Sequence, residues 1–379
     1  MKVKLGDVCI IQSGGTPSRS NLDYWKNGTI SWVKISDIKD KYLNFTEEYI
    51  TYEGLKNSSA KIFSKGTILY TIFATLGEVS ILNIEAATNQ AIAGIKLVDE
   101  NVYNDFLYYY LVSKKEEVNN RGRGVAQNNI NLSMLKNIEI EMLNLEKQRK
   151  IANVLDKVNK IINKRQQQLK KFDELVKSRF IEMFGDPLKN TLKWKIKKLK
   201  LIAPANEFTG DIESNNEKYW LLQLDMIESN TGKILSKYFV SLDKIGVSTI
   251  KFSRDNVLYS KLRPYLNKVV LPDEAGFATS EMIPLFPTEE LNKIFLAFVL
   301  RDDGIVRFLN AHVSGSKMPR VQADVFWNLG IILPPSTLQN QFADFVEQTD
   351  KSKFVNYKCL QTAANIYRQE WMRCQTSNF

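Results

Sequence analysis

Residues able to do covalent or metal chemistry are scarce and scattered in this chain. His312 is the only histidine among 379 residues, which removes His-based triads and zinc sites with several imidazole ligands. Cys9, Cys359 and Cys374 are odd in number and lack metal-ligand spacing, the pattern expected in a reducing cytoplasm. Asp37-Ile38-Lys39 has the acidic-x-Lys form of a nuclease core, but no Pro-Asp precedes it. Pro334-Pro335 stands between Leu333 and Ser336, unlike the (N/D)PP(Y/F) tetrapeptide of an amino-group methyltransferase. Gly122-Arg123-Gly124 lacks the third glycine of a dinucleotide loop, and no Walker A sequence is present. The expectation is a binding protein that is not an enzyme by itself, with no cofactor and no metal in this chain.

What remains is the chemistry of polyanion binding: cations, small hydroxyls and amides in loops broken by Gly and Pro. Four clusters stand out. Ser13, Gly14, Gly15, Thr16, Ser18 and Arg19 form a polar Gly-rich loop, in which glycines let backbone amides approach a phosphate; a plain surface turn is the alternative. Arg121 and Arg123 alternate with glycines just before Gln127 and Asn129, a spacing with little packing purpose. Lys261, Arg263, Tyr265 and Lys268 surround Pro264, and Ser314, Gly315, Ser316, Lys317 and Arg320 follow later. Lys34 borders a strand end beside Asp37, where salt pairing at the core edge is the alternative reading. His312 and the tryptophans Trp25, Trp32, Trp220 and Trp327 read as packing residues.

These loops need elements to hold them. Short β-rich runs at 30–35, 66–73, 79–82 and 91–97 precede a helical stretch at 106–118 and a last strand at 138–143. The order then repeats about 190 residues later. Ile35-Ser36-Asp37-Ile38 aligns with Leu224-Asp225-Met226-Ile227, Gly66-Thr67-Ile68-Leu69-Tyr70 with Asp255-Asn256-Val257-Leu258-Tyr259, and Ala87-Thr88-Asn89-Gln90 with Ala278-Thr279-Ser280-Glu281. Gly124 aligns with Gly315, and Asn137-Ile138-Glu139-Ile140 with Asn328-Leu329-Gly330-Ile331.

Each copy closes with a long helix. Residues 146–184 contain no Gly or Pro. Leu155, Ile162, Leu169, Val176 and Met183 recur every seventh position, and Ile151, Val158 and Phe172 form the adjacent row, interrupted by Arg165 and Arg179. Such a helix spans roughly 55–60 Å, and Gly185-Asp186-Pro187 ends it. A second helix follows Pro334-Pro335, with Ser336 and Gln339 at capping-box spacing. Its seam is more polar, with Thr349, Lys353 and Asn356 at positions where the first helix has Val158, Ile162 and Arg165. The two helices are expected to pair antiparallel, with Arg165 and Asn356 as polar seam positions that set register. The net charge of +10 is concentrated: residues 144–190 hold 12 basic and 6 acidic side chains, whereas 1–143 hold 16 of each. A polyanion along the helices or a solvated Lys-rich face both account for it.

The arrangement resembles the specificity (S) subunit of type I restriction-modification enzymes. The likeness lies in Gln127-Asn128-Asn129-Ile130-Asn131, in Ile138-Glu139-Ile140 and in Glu146-Lys147-Gln148-Arg149-Lys150-Ile151-Ala152. Phe180-Ile181-Glu182-Met183-Phe184-Gly185-Asp186-Pro187 is similar to the usual end of the family's helix, and Ser260-Lys261-Leu262-Arg263-Pro264-Tyr265-Leu266 to a recurrent recognition-domain motif. Leu333-Pro334-Pro335 and Gln339-Asn340-Gln341-Phe342-Ala343 match the entry to the second helix. The stretch from 367 to 379 departs from the pattern by lacking a second such ending. The resemblance implies an α+β chain with two homologous mixed α/β target recognition domains, separated by two long antiparallel coiled-coil helices in a pseudo-two-fold internal repeat. The segments would be 1–143 (first recognition domain), 144–190 (first spacer helix), 191–335 (second recognition domain) and 336–379 (second spacer helix). It further implies a cytoplasmic protein, away from any membrane, whose globes read the halves of a bipartite double-stranded DNA target through the loop residues above. Two modification (methyltransferase) subunits and two restriction (translocase/nuclease) subunits are the expected partners, and S-adenosylmethionine, ATP and Mg2+ would belong to them. A helical scaffold that binds proteins without reading DNA is the rival from another class.

Overall fold

The computed structural model describes residues 2–117, 130–214 and 216–376. Arg121, Arg123, Gln127 and Asn129 therefore lie outside the described residues. By its internal contacts the chain divides into two units, Met1–Lys164 with Cys359–Phe379, and Arg165–Lys358.

In the first unit, a five-stranded sheet runs in the order Cys9–Ser13, Ile92–Leu97, Ile68–Thr71, Val79–Leu82, Tyr42–Leu43. The central strands Ile68–Thr71 and Val79–Leu82 are buried at every position, and their two hydroxyls are satisfied there, Thr71 donating to Thr75 O and Ser80 to Asp40 O. Helix Asn104–Ser113 lays Phe106, Leu107, Tyr109 and Leu111 into the same core as Leu5, Ile68, Tyr70 and Ile95. Ala152 and Leu155 of the long helix join that core. A second sheet has the order Glu48–Ile50, Ile30–Val33, Ala86–Thr88, Ile62–Phe63. Its two middle strands are parallel, with Trp32 opposite Ala87 and Val33 opposite Thr88.

The second unit repeats this plan. Lys218–Leu222 and Gly276–Ala278 are its parallel pair, with Leu221 opposite Phe277 and Leu222 opposite Ala278. Phe239–Ser241 and Ile250–Phe252 flank them. Val257–Ser260 lies between Val269–Val270 and Met282–Leu285. In each unit the first strand closes on the last: Lys2–Lys4 on Glu139–Glu141, and Lys195–Lys198 on Gly330–Leu333. The ladders correct one alignment. Asn89 N–H donates to Val33 O, and Thr279 N–H to Leu222 O. Asn89 therefore matches Thr279, Gln90 matches Ser280 and Ala91 matches Glu281, one residue away from the register expected from sequence. A slip of one residue exchanges the faces of a strand, so hydrogen bonding overrides residue likeness here.

The first long helix is Leu145–Phe184 and the second Ser336–Thr376. Leu155, Val158 and Val176 of the heptad rows are buried. Gly185, at φ 74°, ends the first helix, and its N–H donates to Ile181 O at 2.8 Å. Within the second unit the helices run antiparallel. Arg165 Nη1 donates to Asn356 Oδ1 at 2.8 Å, Lys353 pairs with Asp173 at 2.7 Å, and Phe180 meets Phe342 edge-on at 5.4 Å. Phe180, Phe184, Phe295, Phe298 and Phe342 form one aromatic cluster with ring separations of 4.7–6.1 Å. In the first unit, Tyr367 of the second helix packs edge-on to Tyr109 at 6.3 Å.

A matched pair of buried glutamines ties each helix start to its globe. Gln148 accepts from Tyr103 N–H at 2.7 Å and donates to Asn101 O and Leu143 O at 2.8 and 2.7 Å. Gln339 accepts from Asn292 N–H at 2.9 Å and donates to Glu290 O and Pro334 O at 3.1 and 2.8 Å. Both are wholly buried. The capping box expected from Ser336 and Gln339 is therefore replaced. The helix begins at Ser336, so the cap position falls on Pro335, and the Gln339 amide is committed to the loop. Among the described residues, no helix is long and apolar enough to cross a membrane.

Candidate nucleic-acid interface

The parallel strand pair organises the candidate site in each unit, because loops leaving the carboxyl ends of adjacent parallel strands splay apart and leave room for a ligand. In the first unit these ends are Lys34 and Asn89. The Gly-rich loop lies against them, but for a different reason from the one expected. Gly14 N–H donates to Ile92 O at 3.1 Å and Gly15 N–H to Thr88 O at 2.8 Å. Neither amide is free for a phosphate. A Cβ at either position would collide with Thr88 or with Ser59, so these glycines permit close packing of backbone. Ser13 ends its strand opposite Ala93. Thr16 Oγ1 donates to Gln90 Oε1, and the Ser18 and Ser20 hydroxyls are 2.8 Å apart.

Arg19 carries the outward-facing charge of this loop. Its guanidinium stacks 3.6 Å from the ring centre of Trp25 and 4.9 Å from that of Trp32, and pairs with Glu48 at 2.6 Å. Lys34 pairs with Glu47 at 2.7 Å and with Glu48 at 3.4 Å. The hydrogen bond to Glu47 leads in holding the Lys34 ammonium above its ordinary pKa. Arg19 and Lys34, distant in sequence, thus converge on Glu48, and salt pairing at the core edge is what Lys34 makes. Asp37 accepts from Lys34 N–H at 2.9 Å, a local turn cap that accounts for the acidic-x-Lys triplet.

In the second unit two of the expected clusters meet. Arg263 N–H donates to Pro319 O at 2.7 Å, and Val321 N–H donates to Lys261 O at 3.0 Å. This stitches the 261–267 loop to the hairpin whose strands are Val313–Ser314 and Arg320–Val321. Arg263, Tyr265, Ser314, Gly315, Ser316 and Lys317 are all exposed on it. Among the described residues, no hydrogen bond or ion pair engages the Arg263 or Lys317 side chain. Arg320 is held bidentately by Glu281, with nitrogen–oxygen distances of 2.6 and 2.9 Å. Arg320's hydrogen bond holds the Glu281 carboxyl below the usual range. Lys268 turns to the protein itself. Its ammonium donates to Leu224 O at 2.6 Å, and burial lowers its pKa, so it braces the loop from inside. His312 packs on Phe308, 4.7 Å between rings, with Nδ1 2.8 Å from Phe308 O.

Sequence reasoning missed a shared feature of these loops. Ala74 and Arg263 both sit in the left-handed region, at φ 61° and 49°, which a residue with a Cβ seldom adopts. A reading that looks for glycine at such positions passes over both. Among the described residues, no group of three or more His, Cys, Asp or Glu side chains could hold a metal ion.

Comparison with known proteins agrees with this architecture. A family model described as the type I restriction modification DNA specificity domain matches residues 1–171. The type I restriction enzyme MjaIX specificity subunit of Methanocaldococcus jannaschii is 24% identical over 392 residues, covering 96% of this chain and 89% of that protein. The EcoR124I/EcoR124II specificity subunit of Escherichia coli is 24% identical across 42% of this chain and 41% of its own length. In fold, the chain is similar to the S subunit of the type I system of M. genitalium, with TM-score 0.60 at 15% identity over 99% of this chain and 95% of that one. A chain from a structure of the type I R-M system, described for its complex assembly and conformational transition, gives TM-score 0.57 at 15% identity over 100% and 98%. With these likenesses, two sheet-based globes wired alike, each closed by a long helix whose start is pinned by a buried glutamine, make the chain similar to the specificity subunits of type I restriction-modification systems.

Proposed function

We propose that this chain is the sequence-specific DNA-recognition subunit of a type I restriction-modification complex, in which each globe reads one half of a bipartite target. The observation that carries this reading is the duplication of a single wiring plan. Both globes bring cation-bearing loops to the carboxyl ends of one parallel strand pair. In this reading residues 1–143 and 191–335 are the target recognition domains, and 144–190 and 336–379 are the spacer helices that fix the gap between half-sites. Arg263 and Lys317, which have no side-chain partner among the described residues, are the foremost DNA contacts, and Arg19 and Arg320, oriented by Glu48 and Glu281, support them with Lys261 and Tyr265. Lys34 and Lys268 are occupied within the protein and hold loops in place.

The helices also dock the two modification subunits. Leu175, Phe354 and Val355 are about half exposed or more, apolar surface of the kind a protein partner covers. The chain contributes recognition and no catalysis. Adenine methylation with S-adenosylmethionine belongs to the modification subunits, and ATP- and Mg2+-dependent translocation and cleavage to two restriction subunits. Exchange of residues 1–143 for the corresponding segment of a relative tests independent reading. One half of the methylated sequence should change and the other should stay; a change in both halves, or in neither, contradicts it.

A further inference from the structure

The two globes share a loop anchored by the same backbone bonds, although its sequence differs and the second copy is one residue longer. In the first unit the chain leaves Ile68–Thr71 and returns in Val79–Leu82; in the second it leaves Val257–Ser260 and returns in Val269–Val270. Thr71 N–H donates to Glu78 O at 3.0 Å, and Ser260 N–H to Lys268 O at 3.0 Å. The next residue is held twice in each unit. Ile72 N–H donates to Ala91 O at 2.8 Å and Ile72 O accepts from Ile130 N–H at 3.0 Å; Lys261 N–H donates to Glu281 O and Lys261 O accepts from Val321 N–H, both at 3.0 Å. Two residues further on, each chain turns left-handed, at Ala74 and at Arg263. It does so again before rejoining the sheet, at Gly77 (φ 77°) and at Asn267 (φ 49°). An unfavourable backbone kept twice, with a Cβ at the first left-handed position both times, marks a loop whose shape is imposed by its surroundings.

In the second unit this loop presents Arg263 and Tyr265 to solvent. In the first it presents Phe73, Ala74 and Thr75, with Phe73 37% exposed, while Leu76 anchors the loop in the core. The two tips therefore stand in one place on one scaffold and differ in chemistry, one cationic and one uncharged. We propose that residues 73–75 are a base-contacting tip of the first globe, with Phe73 lying against a base of double-stranded DNA where the second globe uses Arg263 and Tyr265. An exposed ring at a rigid tip makes apolar contact with a thymine methyl or a base face and adds no phosphate charge term. The assignment rests on the DNA-reading function proposed above.

The test uses the full chain with its modification subunit and a duplex carrying the sequence that methylome sequencing identifies, beside a scrambled duplex. Thr75→Lys and Thr75→Glu keep the backbone carbonyl that Thr71 bonds, so they probe the tip with little risk to folding. Thr75→Glu is expected to weaken target binding at least about fivefold, and Thr75→Lys to strengthen it and raise the salt slope by about one. Phe73→Ala is expected to weaken binding about fivefold or more with the slope unchanged, because no phosphate contact is lost. Affinities for all three within about twofold of wild type, while wild type still prefers the target, overturn the tip assignment alone. A wild-type complex that binds both duplexes equally overturns the DNA-reading function and the tip with it.

Discussion

Arg263 and Arg320 lie on one stitched surface, yet only one of them is free. Glu281 grips Arg320 bidentately, whereas Arg263 projects from a left-handed position with no partner among the described residues. A bidentate carboxylate fixes a guanidinium in direction and cancels much of its long-range charge; an unpaired one releases counterions when it meets a phosphate. Arg263→Gly separates backbone from side chain, since glycine accepts φ 49° readily and only the guanidinium is lost. This variant should keep the wild-type melting temperature and weaken binding of the assembled complex. Its salt slope should be lower by about one; an unchanged slope removes Arg263 from the phosphate contacts. The cations themselves were legible in the sequence, because Arg and Lys beside Gly and Pro announce exposed loops. Their partners were not. Arg19 with Glu48, and Glu281 with Arg320, meet only because separate strands bring them together, and the fate of Lys268 depends on a carbonyl 44 positions away. Gly14 and Gly15 were legible as special but their packing role was not, since the atoms that forbid a side chain there belong to Ser59 and Thr88.

Buried glutamines, more than the heptad seam, decide where each long helix begins. Gln148 satisfies one N–H and two carbonyls inside the first unit, and Gln339 does the same in the second. A leucine of similar volume leaves those three backbone groups buried without partners. Gln148→Leu should therefore cost the first unit about 2–4 kcal/mol, read by urea denaturation against wild type, with Gln339→Leu acting likewise on the second. A cost under about 0.5 kcal/mol would show that water or a shifted loop replaces the amide. The first helix was legible because seven-residue spacing of Leu155, Ile162, Leu169 and Val176 is a local signal, and so was its end at Gly185. The glutamine clamps were not legible. A Ser-x-x-Gln spacing at 336–339 reads as a capping box, and only the path of the 290–292 loop shows what Gln339 holds. The parallel strand pairs carry the same lesson. Residue likeness placed Ala87 opposite Ala278 in the repeat, and the ladder moves it to Phe277.

Across the whole molecule, duplication is the property from which the proposed function follows. One set of backbone bonds occurs twice, near-constantly offset, and each copy takes its own half of both long helices into its contacts. The repeat was legible because a constant offset survives strong divergence of side chains. Which bases are read was not legible, because the loop tips, such as 73–75 and 263–265, are where the copies differ. A duplicated reader on a shared pair of helices makes a definite claim about DNA: two short specified blocks separated by a fixed unspecified gap. The direct test is to sequence the adenine methylome of cells that express this chain with its modification subunit, beside cells that express the modification subunit alone. A methylated motif in two blocks with one gap length, present only when this chain is expressed, is the predicted result. A single uninterrupted motif, a variable gap, or no methylation dependent on this chain would contradict the account.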